Sequence, residues 1–180
     1  MKNIIVLDRD GVINEDSDAY IKSPEEWHPV EGSMDAIREL KRAGWIVAIA
    51  TNQSGIKRGY YDRATLSAMH QKMNRLLGDC KPDWISFSPY SSDDGSPSRK
   101  PGTGMMRSIE KALNVDLSGA LFVGDTLADI QAARSMSMQP YLVRSGKGER
   151  TLASQDPLLE GVAVFDNLKA LADHLLSRKV

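Results

Sequence analysis

The stretch Asn3-Ile4-Ile5-Val6-Leu7-Asp8-Arg9-Asp10-Gly11 decides the fold of this chain. Its first five residues form a short apolar run, which predicts a buried β-strand. Side chains alternate along a strand, so Asp8 and Asp10 point the same way, and Gly11 permits a sharp turn beside them. Two carboxylates with one direction are typical of a magnesium site, although Asp-x-Asp-Gly is also compatible with a simple polar turn.

Composition limits what kind of protein this can be. The chain has 180 residues, of which 41% are hydrophobic, and this fits one domain over residues 1–180. A net charge of -1 provides no broad basic surface for nucleic acid or an anionic membrane. No apolar stretch approaches membrane-spanning length, and Met1 and Lys2 lead directly into the first strand, so we expect a cytoplasmic protein without a signal peptide. The single cysteine, Cys80, excludes an internal disulfide and is expected to be an inert thiol.

Strand-like and helix-like patterns alternate along the rest of the chain. This alternation predicts an α/β fold with a Rossmann-like, mainly parallel sheet and helices on both faces. Further strands are predicted over 45–50, 84–88, 120–123, 141–143 and 162–165. Helices are predicted over 33–43, 62–77, after Pro101, over 127–136 and over 167–176. Ser33 is a candidate N-cap of the first helix, and Leu76 is assigned to the apolar face of the second.

Polar side chains follow several of the predicted strands. Asp8 and Asp10 end the first strand, Thr51-Asn52-Gln53-Ser54-Gly55 follows the second, and Gly124-Asp125-Thr126-Leu127-Ala128-Asp129 follows the fourth. Arg99-Lys100-Pro101 precedes the third helix. Because ligands of such sheets bind beyond the carboxyl ends of the strands, we expect these groups to converge at one edge.

These groups suit the transfer of a phosphoryl group to a carboxylate. Asp8 is placed as the nucleophile that forms an aspartyl phosphate, which splits a difficult hydrolysis into two steps. Asp10 would act first as the acid for the leaving oxygen and then as the base for water. Magnesium would be held by Asp8, the main-chain carbonyl of Asp10 and Asp125. Lys100 and the Thr51 hydroxyl would stabilise the transferring oxygens.

The motifs Asp8-Arg9-Asp10-Gly11, Thr51, Lys100 and Gly124-Asp125-x-x-x-Asp129 resemble, in this order, the four motifs of the haloacid dehalogenase superfamily of phosphatases. The resemblance implies the fold of that superfamily, and the short connections make it the capless type. Longer strings are similar to the heptose bisphosphate phosphatases, with the histidinol phosphatases as near relatives. These strings are Asp8 to Asn14, Thr51 to Ile56, Arg99 to Pro101 and Val143-Arg144-Ser145-Gly146-Lys147.

The resemblance implies a reaction, a cofactor and a role for each matching residue. The reaction is magnesium-dependent removal of the C7 phosphate from D-glycero-D-manno-heptose 1,7-bisphosphate, on the route to nucleotide-activated heptose for lipopolysaccharide; either anomer remains open. Asp8 matches the nucleophile, Asp10 the proton donor and Asp125 the metal ligand. Asp129 is expected to orient the site from behind these groups. The expected phosphoryl stabilisers are Thr51 and Lys100, and the expected substrate contacts are Asp16, Ser17, Asp18, Ala19, Tyr20, Thr51, Asn52, Gln53, Ser54, Arg99 and Lys100, with Arg99 recognising the rest of the substrate.

One part of the family pattern is missing. Many heptose bisphosphate phosphatases carry a zinc loop of three cysteines and a histidine before the Arg-Lys-Pro motif. Here residues 88–98 read Ser-Pro-Tyr-Ser-Ser-Asp-Asp-Gly-Ser-Pro-Ser and offer no thiolate or imidazole, so we expect no zinc. His28, His70 and His174 have no ligand spacing and are expected to be scattered surface or half-buried residues.

The chain has no room for an inserted cap domain, so the site is expected to be open. Its loops would then contact the leaving group, and the aromatic residues Tyr20, Trp27, Tyr60 and Tyr61 either form walls for a sugar or simply pack the loops. The expected partner is a small sugar phosphate, without nucleic acid or membrane, and the protein is expected to be a monomer.

Several other functions remain open at this point. A histidinol-phosphate phosphatase shares the motifs, and an open site also admits a polynucleotide 3′-phosphatase, although a basic surface is missing. A phosphoryl-accepting switch domain uses similar residues, but its acceptor lies on a middle strand and lacks an acid two residues later. A catalytically inactive binding protein is disfavoured because every motif position holds a competent residue.

Overall fold

Six parallel strands form one sheet in the computed structural model, which describes residues 3–177. Met1, Lys2 and residues 178–180 lie outside the described part. The expectation that no signal peptide precedes the first strand rests on Met1 and Lys2 and therefore also lies outside it. The strands are β1 (Ile4–Leu7), β2 (Ile46–Asn52), β3 (Trp84–Ser88), β4 (Leu121–Gly124), β5 (Gln139–Val143) and β6 (Ala163–Phe165). Their order is β3-β2-β1-β4-β5-β6, so the strand order reverses between β1 and β4, where such sheets bind ligands.

Helices cover both faces of the sheet, as the alternation predicts. They are α1 (Ser33–Arg42), α2 (Arg63–Leu77), α3 (Gly104–Leu113), α4 (Leu127–Ser135), α5 (Gly148–Ala153) and α6 (Leu168–Ser177). Ile5 and Leu7 of β1 belong to the core cluster that includes α1, α2 and α6. Val6 belongs to the opposite cluster, with α3 and α4. Strand alternation therefore divides the core into two layers around one sheet.

Three local predictions differ from the structure. Ser33 does not cap α1, because Gly32 occupies the N-cap at φ +76° and the Ser33 hydroxyl donates instead to the Ile13 carbonyl at 2.6 Å. Leu76 is 41% exposed, since only its neighbour Leu77 continues the buried face of α2. The short helix α5 was not predicted, because its six residues are too few for an apolar repeat.

The two connections that could hold a cap are short. Within residues 3–177, the β1–α1 connection contains one 3₁₀ turn, Pro24–Glu26, and two isolated β-bridges at Asn14, and the β3–α3 connection contains one 3₁₀ turn, Ser92–Asp94. The loop that replaces the zinc loop is held by hydroxyls, since Ser98 Oγ lies 2.9 Å from Ser88 Oγ and 2.9 Å from Ser96 Oγ. None of the helices in the described chain is long and apolar enough to cross a membrane.

Candidate active site

The predicted site residues converge beyond the carboxyl ends of β1, β2 and β4. A cavity of about 360 Å³ opens there, and it lies where the strand order reverses. The predicted residues that line it are Asp8, Asp10, Asp16, Ser17, Asp18, Tyr20, Asn52, Gln53, Ser54, Arg99, Lys100, Asp125 and Asp129. Two predicted contacts, Thr51 and Ala19, are not among the lining residues: Thr51 is completely buried and Ala19 is exposed.

Three carboxylates crowd together at the floor of the cavity. Asp8, Asp125 and Asp129 each offer an oxygen, and these oxygens all lie within 4.8 Å of one another. Burial raises the pKa of Asp8 to about 7, and the charge of Asp129 adds to this effect while Lys100 opposes it. Burial and the charge of Asp8 likewise raise the pKa of Asp125 well above its usual value. The cluster holds more negative charge than its surroundings balance, which favours a cation.

Asp125 is held by a segment that sequence reasoning used only as part of a family string. The Lys147 N–H donates to Asp125 Oδ2 at 2.8 Å, and the Thr151 hydroxyl donates to its carbonyl at 2.7 Å. Asp125 Oδ1 is buried and has no hydrogen-bond partner among the described residues. An orphaned carboxylate oxygen in this position fits a hard cation such as magnesium.

Lys147 is a site residue that the sequence predictions missed. It lines the cavity, and its ammonium lies 3.4 Å from Asp16 in the first loop. A search of the fifth strand's carboxyl end, where Ser145-Gly146-Lys147 follows Val143, would have found it. The polar groups after every parallel strand, including the later ones, are therefore candidates for the site.

Lys100 lies between two of the carboxylates. Its Nζ is 3.0 Å from Asp8 Oδ1 and 2.7 Å from Asp129 Oδ1. Burial alone would lower the pKa of Lys100, but these two carboxylates raise it, so the ammonium stays charged. Asn52 holds the Lys100 backbone by accepting from its N–H at 3.0 Å and donating to its carbonyl at 3.1 Å. The Asn52 amide thereby places the base of the Lys100 side chain beside Asp8.

Asp129 supports the site from the start of α4. Its Oδ1 accepts from Lys100, and its Oδ2 accepts from the N–H of Asp125, the N–H of Thr126 and the Thr126 hydroxyl at 2.9–3.1 Å. This is a capping box, in which the Asp129 side chain satisfies helix-terminal N–H groups. Both oxygens are engaged, so Asp129 positions Lys100 and the Asp125 backbone.

Asp10 is surrounded by donors. Its Oδ1 accepts from Arg9 Nε, Arg9 Nη2 and Asn14 Nδ2, and its Oδ2 accepts from Gln53 Nε2 at 2.9 Å. Burial would raise the pKa of Asp10, but Arg9 together with Asn14 and Gln53 outweighs it and lowers the pKa. Gln53 also donates to Thr51 Oγ1 at 2.9 Å and accepts from the Tyr61 hydroxyl. Gln53 is thus committed to Asp10 and Thr51, and only 2% of it is exposed.

The first loop forms the rim of the cavity. Asp18 pairs with Arg150 of α5 at 3.2 Å, and Tyr20, at φ +67°, packs edge-on against Tyr60 with 5.1 Å between ring centroids. Arg99 is half-buried and donates to the Tyr90 carbonyl at 3.2 Å. Trp27 is completely buried in the core and forms no wall of the cavity. Tyr61 does line it.

Known proteins are similar to this chain in sequence and in fold. The HAD-hydrolase-like family model matches residues 97–171, which include Lys100, Asp125 and Asp129. A D-glycero-beta-D-manno-heptose-1,7-bisphosphate 7-phosphatase of Pseudomonas aeruginosa is 51% identical over 177 residues, covering 97% of this chain and 98% of its own. The chain belongs to the heptose-1,7-bisphosphate 7-phosphatase family. A heptose-1,7-bisphosphate 7-phosphatase of Escherichia coli is also similar, with 36% identity over 79% of this chain and 80% of its own.

Solved structures of the heptose bisphosphate phosphatase family have the same fold. The crystal structure of the D,D-heptose 1,7-bisphosphate phosphatase from B. bronchiseptica, complexed with magnesium and phosphate, is 48% identical with a TM-score of 0.92, covering 98% of this chain and 99% of its own. The enzyme from Burkholderia thailandensis is 41% identical with a TM-score of 0.74, again covering 98% and 99%. The predicted superfamily and its Rossmann-like α/β fold are confirmed.

Proposed function

We propose that this chain hydrolyses the C7 phosphate of D-glycero-β-D-manno-heptose 1,7-bisphosphate and uses magnesium. One observation carries the chemistry: Asp8, Lys100, Asp125 and Asp129 meet at the floor of a single open cavity. The relatives at about 50% identity over nearly the whole chain, which are named for the β-anomer, support the substrate. The sequence itself left the anomer open.

The residues present fit magnesium. Those that would hold it are Asp8, the main-chain carbonyl of Asp10, and Asp125, whose Oδ1 is an unpaired buried oxygen. When bound, the ion screens the carboxylates from the substrate phosphate and polarises its oxygens. The raised pKa values of Asp8 and Asp125 mark the same need for positive charge.

Asp8 is the proposed nucleophile. Its Oδ1 is held by the Arg9 N–H at 2.8 Å and by Lys100, while its Oδ2 accepts no hydrogen bond from the described residues. Oδ2 is therefore free to bond to phosphorus as the bond from phosphorus to the C7 oxygen breaks. Lys100 neutralises the charge that builds on the transferring oxygens. Thr51 remains a predicted stabiliser, and its buried hydroxyl contacts Gln53 in the structure.

Asp10 is the proposed acid and base. Because its donors lower the pKa of Asp10, the carboxyl is ionised in the free site and must take up a proton before the first step, in which it transfers that proton to the departing C7 oxygen. In the second step the carboxylate takes a proton from the water that attacks phosphorus, and the bond between phosphorus and Asp8 breaks. Asp10 is then protonated again, and phosphate leaves with Asp8 restored.

The charges around the cavity bear on the alternative of a polynucleotide 3′-phosphatase. Its rim acids Asp16 and Asp18 pair with Lys147 and Arg150, so these two basic side chains are already neutralised and add no basic surface for the neighbouring phosphates of a polynucleotide. We propose that Arg99 and the 16–20 loop contact the sugar end of a small substrate. We further propose that residues 1–180 form one domain, and that the protein is a monomer, acts in the cytoplasm and binds neither nucleic acid nor membrane.

The test is kcat/KM with magnesium for both anomers of the heptose bisphosphate, alongside histidinol phosphate and a 3′-phosphorylated oligonucleotide. Asp8→Asn serves as the inactive control. We expect a clear preference for the β-anomer that is lost in Asp8→Asn. Low rates without preference among the substrates would be consistent with a phosphatase but would exclude the heptose bisphosphate as its substrate. A long-lived phosphoenzyme would instead favour the phosphoryl-accepting switch domain.

A further inference from the structure

Arg9 is an arginine with no exposed surface, directly between the two catalytic aspartates in sequence. Its guanidinium turns back to Asp10, with Nε 3.1 Å and Nη2 2.6 Å from the same oxygen, Oδ1. The remaining nitrogen, Nη1, lies 3.3 Å from Nε2 of His70 on α2. A buried arginine needs partners for all of its N–H groups, and here one helix and one carboxylate share that task.

The two oxygens of Asp10 are consequently unequal. Oδ1 receives three donors, two from Arg9 and one from Asn14 at 2.9 Å, which leaves it no room for a proton. Oδ2 receives one, from Gln53, and keeps a free lone pair. Asp10 lines the cavity, and its side chain is 24% exposed. Only Oδ2 can exchange a proton with a substrate.

We propose that Arg9 and His70 are positioning residues for the acid-base step: His70 holds Arg9, and Arg9 holds Oδ1 of Asp10 so that Oδ2 faces the leaving oxygen. The inference rests on the proposed function, because it assumes that Asp10 transfers the proton. His70 acts as a neutral imidazole whose Nε2 accepts from Arg9, with its proton on Nδ1. Burial beside Arg9 lowers the pKa of His70 to about 3, which keeps the ring neutral at working pH.

The step that depends on this geometry can be isolated by the choice of leaving group. A sugar alkoxide must receive a proton as it departs, whereas 4-nitrophenolate is stable without one. A misplaced Asp10 therefore slows phosphoenzyme formation from the sugar phosphate and leaves formation from 4-nitrophenyl phosphate nearly intact. A general loss of folding or of magnesium binding would slow both substrates equally.

The experiment compares His70→Leu with His70→Gln in rapid-mixing measurements of phosphoenzyme formation with magnesium. Leucine removes the acceptor, whereas the glutamine carbonyl can still accept from Arg9. For His70→Leu we expect formation from the heptose bisphosphate to slow about tenfold with KM within about twofold, and formation from 4-nitrophenyl phosphate to change less than about twofold. His70→Gln should restore most of the sugar phosphate rate.

Two controls keep the outcomes separate. His174→Leu makes the same substitution on α6, where the ring packs against Phe165. It should not change the rate of phosphoenzyme formation from either substrate. Asp10→Asn should slow the sugar phosphate severely. If Asp10→Asn is active, the acid-base assignment itself fails; if it is inactive while His70→Leu matches wild type, or slows both substrates equally, the positioning role alone is overturned.

Discussion

The Nζ of Lys100 lies 3.0 Å from Oδ1 of Asp8, and both side chains are almost completely buried. Even with this partner, the pKa of Asp8 remains raised to about 7, because burial and the charge of Asp129 together outweigh Lys100. The site is therefore built for more positive charge than its own side chains provide. Catalytic sites often keep such unfavourable charge, which substrate and cofactor then relieve.

Replacing Lys100 by methionine should disable catalysis and weaken the fold. Removing one donor to the transferring oxygens lowers kcat about 10³-fold. Leaving Asp8 and Asp129 without their cation costs about 3–5 kcal/mol in the free energy of unfolding. Steady-state kinetics and urea denaturation measure the two effects. Lys111→Met, an exposed lysine on α3, is the control and should change neither; an active Lys100→Met enzyme would contradict the phosphoryl role.

Asp8→Asn should abolish turnover yet stabilise the metal-free protein at pH 8. Between its ordinary value of 3.8 and its folded pKa of about 7, the folded state binds a proton that the unfolded chain lacks. Stability from this group is therefore present at low pH and lost as the pH rises through 7. The variant should gain about 2–4 kcal/mol at pH 8 and nothing near pH 4.

Magnesium should reverse the order of stability, so that wild type becomes more stable than Asp8→Asn. At 100 times its dissociation constant the ion stabilises the wild-type fold by about 2.7 kcal/mol, and the variant gains less because a ligand is missing. Urea denaturation with and without magnesium gives these values. Asp79→Asn, at an exposed position, controls for the amide substitution. A variant less stable than wild type in metal-free buffer at pH 8 would refute the charge imbalance.

Gly146→Ala should disturb the metal ligand Asp125. Gly146 has φ +59°, and a Cβ there would lie 2.3 Å from the Gly11 Cα and 2.4 Å from Asp125 Oδ2. The Gly11 backbone cannot move aside without strain, so the two loops must separate. We therefore expect a loss of magnesium affinity and a loss of about 2–4 kcal/mol in the free energy of unfolding. Isothermal titration with magnesium measures the first effect.

The matched control is Gly161→Ala. Gly161 also has positive φ, +73°, but nothing lies within 4 Å of its Cβ position. It should therefore show only the cost of left-handed backbone, about 1–2 kcal/mol, with unchanged magnesium affinity. Equal effects of the two substitutions would mean that the close approach of Gly146 and Gly11 is unimportant.

His70 should make the protein acid-sensitive. Burial and the neighbouring Arg9 lower its pKa from 6.5 to about 3. Between pH 6.5 and pH 3, the unfolded chain therefore binds a proton at His70 that the folded state does not bind. Stability is complete above pH 6.5 and is lost as the pH falls towards 3. The full shift corresponds to at most about 5 kcal/mol, and solvent contact of the half-buried ring reduces the expected loss to about half of that.

The measurement is urea denaturation of wild type and His70→Gln from pH 8 to pH 4. Wild type should lose stability relative to the variant as the pH falls, because glutamine cannot take up a proton. His174→Gln, on α6 beside Phe165, serves as the reference histidine substitution. Parallel pH curves for wild type and His70→Gln would show that the ring is not kept neutral by the fold.

Much of the fold could be predicted because its signals are local. Apolar runs of β1 to β6 and the helical repeats each depend on a few neighbouring residues, and their boundaries agree with the structure within about two residues at most ends. The position of ligand sites beyond the strand ends then predicts that Asp8, Lys100 and Asp125 meet at one edge of the sheet. The resemblance to the family motifs added a role for each matching residue and a substrate.

The details of the site depend on contacts that no local pattern contains. Gln53 was predicted to touch substrate, and the structure commits its amide to Asp10 and Thr51. Trp27 entered the core, because the first loop folds onto α2, where Lys72 donates to the Pro24 and Trp27 carbonyls at 2.6–2.7 Å. Which way a polar side chain turns is decided by whichever partners the fold brings within reach.

By itself, the sequence determined the order of strands and helices, the acids at the strand ends and the membership in a phosphatase superfamily. Only the tertiary structure decided that Asp125 keeps an unpaired oxygen, that Lys147 reaches the cavity from the fifth strand, and that Arg9 and His70, 61 positions apart, hold Asp10. The physical reason is range: periodicity and turn chemistry act over a few residues, whereas hydrogen-bond partners and burial depend on the whole packed chain.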